Sequence, residues 1–304
     1  MRIRSKGTKV GDMVVFILCI FIILLCLMPM LNLFAQSFSS AQAVINGRVS
    51  FIPIVHNVDD NTYKTGMSLD SYRYVFLDPA FTRSMWWTAI LTVICTLLSL
   101  TMTTLCAYPL TYDWLKGKGI INTIIIFTMY FSAGTIPNYI LMKTLNLLNN
   151  PLVLIIPNCL SVFNMIILRS FFFGIPDSLR ESAEIDGANP FTCLVKIYLP
   201  LSGPVLATLA LFYAVGRWNG FGDALLYINA APQWVPIQLK LWQLIQNQTS
   251  IDISTVEMVA GTVPRASDAI KAAAIMFATV PILVVYPWLQ RYFIAGVTIG
   301  AVKG

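Results

Sequence analysis

The stretch Ile175-Pro-Asp-Ser-Leu-Arg-Glu-Ser-Ala-Glu-Ile-Asp-Gly-Ala-Asn-Pro-Phe-Thr-Cys-Leu-Val-Lys-Ile-Tyr-Leu-Pro200 decides how this chain is read. Ser178-x-x-Glu181 has the form of a capping box, in which a hydroxyl and a carboxylate satisfy free N–H groups at a helix start. Leu179, Ala183 and Ile185 give that helix a short apolar surface. Gly187 stops it, as a left-handed cap does. Asn189 followed by Pro190 reads as the N-cap and first-turn proline of a second helix. Asp186 falls between the two, where an Asx turn can satisfy backbone donors. The pattern predicts two short helices around a sharp glycine corner. A helix presented in this way suits docking into a groove on a partner. The competing reading is a helix resting on a membrane surface. Glu181, Glu184 and Asp186 argue mildly against that, because cytoplasmic leaflets are anionic.

On both sides of this stretch the chain is apolar. Of 304 residues, 57% are hydrophobic and 11% charged, against roughly 25% charge in soluble domains. Charges cluster between long uncharged windows, the pattern of a polytopic membrane protein. Six spans of the length needed to cross can be drawn: Met13–Ala35, Ser84–Leu110, Ile120–Met142, Leu152–Phe173, Leu199–Trp218 and Asp268–Leu289. The first is too long for the apolar region of a cleavable signal, so it is read as a retained helix. Pro109, Pro137, Pro157, Pro281 and Pro287 lie within or at the ends of spans. Unwinding there needs neighbouring helices or a lined cavity to satisfy the freed backbone.

Arg2, Arg4, Lys6 and Lys9 flank the first span and place the N-terminus inside by the positive-inside rule. Six spans return the C-terminus to the same side, together with Lys116, Lys118, Arg169, Arg180, Lys196, Arg291 and Lys303. The expected organisation is a cytoplasmic N-terminus over 1–12, a first helix over 13–35 and an extracellular loop over 36–83. A helical core then spans 84–290, with its cytoplasmic loop over 175–204, and a cytoplasmic tail spans 291–304. The two outer loops contain turn chemistry: Asp59-Asp60-Asn61 and Pro79 in one; Ala231-Pro232, Pro236, Gln246-Asn247-Gln248-Thr249 and Val263-Pro264 in the other. Ser267 and Asp268 suit the start of the last span. Ala274 and Ala278 allow close helix packing within it.

Catalysis finds little support. The single histidine, His56, is in an outer loop with no nucleophile or metal constellation around it. No GxxxxGK[ST] phosphate loop is present, so any ATP is hydrolysed elsewhere. The six cysteines include no CxxC pair and read as small apolar residues. The net charge of +6 reflects basic residues at span ends, not a nucleic-acid surface. Arg169, Arg217, Asp268, Lys271 and Arg291 all sit near span ends. A mid-membrane without charges fits a remote ATPase better than an ion-coupled secondary transporter or channel, the alternative reading.

Glu181-Ser-Ala183-x-x-Asp186-Gly187-Ala188, followed by Ile197-x-Leu199-Pro200 and Pro204, resembles the EAA loop of ABC importer permeases. Tyr130–Pro137, Leu160–Leu168, Ala210–Val215 with Trp218-Asn219, and the tail Thr298–Gly304 resemble carbohydrate permeases of the maltose-permease type, in the branch represented by LplC and YtcP. Ser182 stands where that family commonly has alanine. The resemblance implies an all-α integral membrane protein of the bacterial plasma membrane, with six transmembrane helices in the type I ABC importer, or MetI-like, permease fold. It implies a sugar permease with no cofactor of its own, because Mg-ATP is bound by two partner ATPase subunits. A second homologous permease would complete the pathway, and an extracellular solute-binding protein, often a lipoprotein, would deliver the sugar. Glu181, Ala183, Asp186, Gly187, Ala188 and Pro200 would then make the ATPase-coupling site. Asn158, Ser161 and Asn164, at helical spacing, and Tyr213, Arg217 and Trp218 are candidates for the sugar path, with interhelical hydrogen bonding and an interfacial belt as the competing roles.

Overall fold

A computed structural model describes residues 6–57, 60–246 and 267–301. Arg2, Arg4, Asp59, Asn247-Gln248-Thr249, Val263-Pro264 and Lys303 lie outside the described residues. The chain runs through α1 (Lys6–Ser37), α2 (Ala41–Ile45), β1 (Ile54–Asn57), β2 (Thr62–Thr65), α3 (Asp70–Leu77) and α4 (Pro79–Ala107). It continues through α5 (Lys118–Tyr130), α6 (Thr135–Thr144), α7 (Leu152–Ile155), α8 (Val162–Phe172), α9 (Asp177–Ile185) and α10 (Pro190–Cys193). A π-helical turn, Leu194–Tyr198, joins α10 to α11 (Leu199–Leu201). Then follow α12 (Gly203–Trp218), α13 (Gly222–Tyr227), α14 (Ile237–Gln246) and α15 (Ser267–Ala301).

Among the described residues, three helical stretches are long and apolar enough to cross a membrane unbroken: Gly11–Ser37, Pro79–Thr111 and Asp268–Val285. Three more candidates are bent pairs, so there are up to six if each pair is one span. The spans read over Ile120–Met142, Leu152–Phe173 and Leu199–Trp218 are interrupted helices, with the unwinding that their prolines led one to expect. Helices α5 and α6 meet at 112°. Phe131 leaves the helix in extended conformation, and Gly134 takes φ +89°, a region open chiefly to glycine. Pro137 then falls in the first turn of α6, where its missing N–H has no helical partner to lose. The helix is likewise lost between Ile155 and Val162, around Pro157. The segments Pro190–Leu201 and Gly203–Trp218 meet at 84°. Pro200 and Pro204 remove two successive helical donors on either side of that bend, which accounts for the π turn and the break.

The last helix runs to Ala301, so the region read as a tail from 291 is helical as far as it is described. No proline follows Pro287 to stop it.

The described chain forms two compact units. One holds the residues up to Thr82 and those between Leu241 and Val280. The region read as an outer loop is structured here. Strands β1 and β2 pair antiparallel, with His56 opposite Tyr63. His56 is part of this hairpin; its ring lies 4.9 Å from that of Tyr63 and its Nε2 is 2.9 Å from Asn61 Oδ1. Ala35, Ala43 and Val49 form a small core with Val44, Ile54 and Tyr63. The Tyr72 hydroxyl donates to Ser37 Oγ at 3.0 Å, tying α3 to the end of α1. In α15, Ala269, Ala272, Ala273, Ala274 and Ala278 are buried, the small-residue face that lets helices approach closely.

The other unit holds residues from Arg83 to Lys240 and from Pro281 onward. It has two cores. Met165, Leu168, Phe172, Tyr198 and Leu209 centre the first, and Leu91, Val153, Leu154, Ala224 and Leu239 the second. The second is stitched by polar bonds to backbone. Trp87 Nε1 donates to Trp234 O at 2.9 Å, and Thr88 Oγ1 accepts from Ile237 N at 2.7 Å. Asn149, at φ +59°, accepts the N–H groups of Asn229 and Ala230 with its side chain. Each bond satisfies a backbone group in a segment between Tyr227 and Ile237 that has little regular structure of its own.

Candidate functional site

Helix α9 begins two residues earlier than the capping-box reading requires. Pro176, at φ −58° and ψ 128°, is the N-cap and provides no side-chain cap; Asp177 is the first helical residue. Ser178 therefore sits inside the first turn, and the box with Glu181 does not form. The fixed φ of proline directs the chain into the helix at that point, and Asp177 provides negative charge at the N-terminal end of the dipole.

The glycine corner stands as expected. Gly187 has φ +84°. Its N–H donates to Glu184 O at 3.0 Å, and that of Ala188 to Ala183 O at 2.9 Å, the paired bonds of a Schellman cap. Asp186 is the residue just before the corner, at φ −73°, with its side chain exposed. Asn189 Oδ1 then accepts from Thr192 N at 2.8 Å and Thr192 Oγ1 at 3.0 Å, capping the Pro190–Cys193 helix.

The corner is anchored on one side and bare on the other. Ala183, Ala188 and Ile175 pack against the core around Phe172 and Tyr198. Leu179, Glu181, Ser182, Ile185 and Asp186 are exposed, Ile185 to 87%. Glu181 and Ile185 are four residues apart and share a face. The result is a small apolar patch flanked by carboxylates on a fixed base. Pro200 lies beyond the corner, between the π turn and the 84° bend.

Arg180 entered the sequence reading only as an inner-side charge. Its side chain is 16% exposed, bonded to Asp177 at 3.0 Å and 3.7 Å from Glu184 Oε1. Its guanidinium carbon lies 4.7 Å from the centroid of the Tyr112 ring. Burial pushes the Tyr112 phenol above its ordinary value, so the ring is neutral at physiological pH. Spacing alone carries no signal for this contact, which joins residues far apart in the chain.

The second group of candidates does not form a helical stripe. Asn158 lies in the non-helical segment, while Ser161 is the N-cap of α8, its Oγ accepting from Asn164 N at 3.3 Å. Tyr213 Oη accepts from Ser161 N at 3.1 Å and pairs with Thr103 Oγ1 at 2.6 Å. Asn158 is exposed, Ser161 and Tyr213 are half-buried, and Asn164 is buried. Arg217 and Trp218 are buried as well, at 7% and 8% exposure, so neither is an exposed path or belt residue.

Arg217 is held instead by Asp223. Nη1 donates to Oδ2 at 2.5 Å and Nη2 to Oδ1 at 3.1 Å, and Nη1 also reaches Leu154 O at 3.1 Å. Asn158 Nδ2 donates to the same carboxylate at 3.2 Å. One clasp thus gathers the end of α12, the start of α13 and both sides of the break at Pro157. Gly220 makes room for it, since a Cβ there would lie 2.7 Å from the guanidinium carbon. Asp223 could have drawn notice only as a lone acid in an apolar outer segment.

Residues 80–299 match the family described as binding-protein-dependent transport system inner membrane component. The chain belongs to that family. The transport-system inner membrane component is 38% identical to the polygalacturonan/rhamnogalacturonan transport system permease protein YtcP of Bacillus subtilis, over 97% of this chain and 99% of that one. It is 41% identical to Protein LplC of the same organism, over 91% of this chain and 90% of that protein. A solved bacterial ABC transporter involved in the import of the acidic polysaccharide alginate contains a chain matching at TM-score 0.85 and 30% identity. That match covers 96% of this chain and 100% of the other. A second chain, from an alginate ABC transporter bound to its periplasmic protein, matches in fold at TM-score 0.59 and 18% identity. The inner membrane component is thus a transport permease, and the expected MetI-like helical fold and ABC importer class are the ones found.

Proposed function

We propose that this chain is one of two different permeases in an ATP-driven importer of an oligo- or polysaccharide, and that α9 with its Gly187 corner is where an ATPase subunit docks. The observation that carries the reading is the α9–α10 corner itself: Ile185, Glu181 and Asp186 are presented outward from a base packed on the core. A helix with an apolar tip and flanking acids suits a groove with a basic rim. Two ATPases, one on each permease, bind and hydrolyse Mg-ATP, and this chain needs no cofactor. The sugar cargo and the extracellular binding protein that delivers it are read from the named relatives. Both termini and the α9 corner lie on the cytoplasmic side, as Lys6 and Lys9 beside the first span favour. Asn158, Ser161 and Tyr213, at the break of a span, mark the route of the sugar; Asn164, Arg217 and Trp218 support it from behind.

The test is co-purification and transport with the complete set of partners. Glu181→Gln combined with Asp186→Asn is expected to lower recovery of the ATPase several-fold while leaving the second permease bound; rim charges act mainly on partner association. Equal loss of both partners would remove the claim that this corner is the ATPase contact. Vesicles containing the wild-type complex should take up labelled oligosaccharide only with internal ATP and external binding protein. Uptake driven by an ion gradient alone would overturn the reading.

A further inference from the structure

Docking at α9 leaves open how a push on that helix reaches the membrane core. Gly187 joins α9 to α10, and Ile175, Ala183 and Ala188 rest on the core with small apolar contacts. A second, directional attachment lies in the first half of the helix. Arg180 lies two turns before Gly187, about 10 Å along the axis.

We propose that Arg180, seated over Tyr112, is that second attachment: a positioning residue that passes ATPase motion into the helix bundle. The inference rests on the reading of α9 as the docking element. Arg180 is well covered, whereas Glu181, Ser182, Ile185 and Asp186 around it are exposed. Asp177 and Glu184, one turn to either side, hold the guanidinium against the ring. Tyr112 follows the short 3₁₀ turn Pro109–Thr111 that ends the second span. Its ring meets that of Tyr108 edge-on at 5.3 Å, a contact that does not depend on the hydroxyls, which also pair at 2.5 Å. The Tyr108 ring stands edge-on to Tyr198 at 4.9 Å and to Phe172 at 6.3 Å. Tyr198 closes the π turn before the 84° bend, and Phe172 ends α8. A displacement of Arg180 therefore bears on three spans through rigid, tightly packed rings, which transmit strain rather than absorb it.

The guanidinium meets two carboxylates and an aromatic face at once. Lysine keeps the charge but offers a single point charge in place of the planar fork that reaches all three. The test uses the complete reconstituted transporter. ATPase and second-permease recovery are measured with import and with the rise in ATP hydrolysis caused by sugar-loaded binding protein. Arg180→Gln, Arg180→Lys and Tyr112→Leu are each expected to retain both partners and to lose import and stimulated hydrolysis roughly tenfold or more, the scale of a lost coupling interaction. Tyr112→Phe keeps the ring and should retain most of both. Wild-type coupling in Arg180→Gln or Tyr112→Leu would overturn the proposal, and rescue by Arg180→Lys would overturn the need for the guanidinium fork. Loss of the ATPase from Arg180→Gln would make this a docking residue and overturn the transmission role. Failure of the wild-type complex to bind an ATPase would instead remove the functional reading beneath it.

Discussion

Replacing Gly187 by valine is expected to abolish most import while the protein is still made and inserted. Space is not the obstacle, because a Cβ at Gly187 would meet no atom within 4 Å. The obstacle is the backbone. At φ +84° an L-residue places Cβ against its own carbonyl, which costs about 1–2 kcal/mol, and branching at Cβ adds to that. About 1–2 kcal/mol shifts the population of the corner roughly 5–30-fold. The strain falls on the two Schellman bonds from Gly187 to Glu184 and from Ala188 to Ala183. If they open, Asn189 no longer starts α10 at the right angle to α9. Gly187→Asn separates conformation from side-chain identity, since asparagine tolerates the left-handed region far better. Uptake should rank glycine, then asparagine, then valine, while the recovered amount of the second permease stays level. Wild-type uptake by the valine variant, at normal expression, would show that the corner does not matter.

How much of this was legible depended on the range of the interactions. The corner was read from local rules: Gly187 and Asn189-Pro190 act within a few residues of themselves. The helix start was misread because two local signals competed, and the fixed backbone of Pro176 took precedence over the Ser178 hydroxyl. Apolar windows located the membrane body but not its breaks. Hydropathy is blind to a chain that turns by 112° at Ser132-Ala-Gly134 while remaining apolar. The glycine and Pro137 carry that signal, and both are tolerated inside straight membrane helices too. Long-range pairs were out of reach. Nothing near Arg180 announces Tyr112, and Arg217 looked like a span-end charge until Asp223 folded back onto it. A charge near a predicted membrane edge has two fates, solvent or a buried partner, and only the fold chooses.

The Arg217–Asp223 clasp gives the largest expected effect on stability. The side chains are 6% and 19% exposed, so the guanidinium has almost no water to turn to and the carboxylate little. Removing one partner strands the other. Asp223→Leu should destabilise the protein by about 3–5 kcal/mol, the usual result of leaving a buried charge unpaired. Arg217→Met alone frees Asp223 and Leu154 O of their strongest donor and should cost less, because Asn158 still donates to the carboxylate. The double variant should recover most of the loss, since an apolar pair of similar volume often replaces a buried ion pair at little cost. Thermal unfolding of the detergent-purified complex, arranged as a double-mutant cycle, measures the coupling. Additive losses would mean that the two groups do not act as a pair. Gly220 gives an independent check on the same geometry. Gly220→Ala drives a methyl into a guanidinium already fixed by Asp223 and the Leu154 carbonyl, and should lower the unfolding midpoint. In an Arg217→Met background the same substitution meets a flexible, uncharged side chain, and its penalty should largely vanish. A penalty unchanged by Arg217→Met would mean that Gly220 serves the backbone and not the clasp.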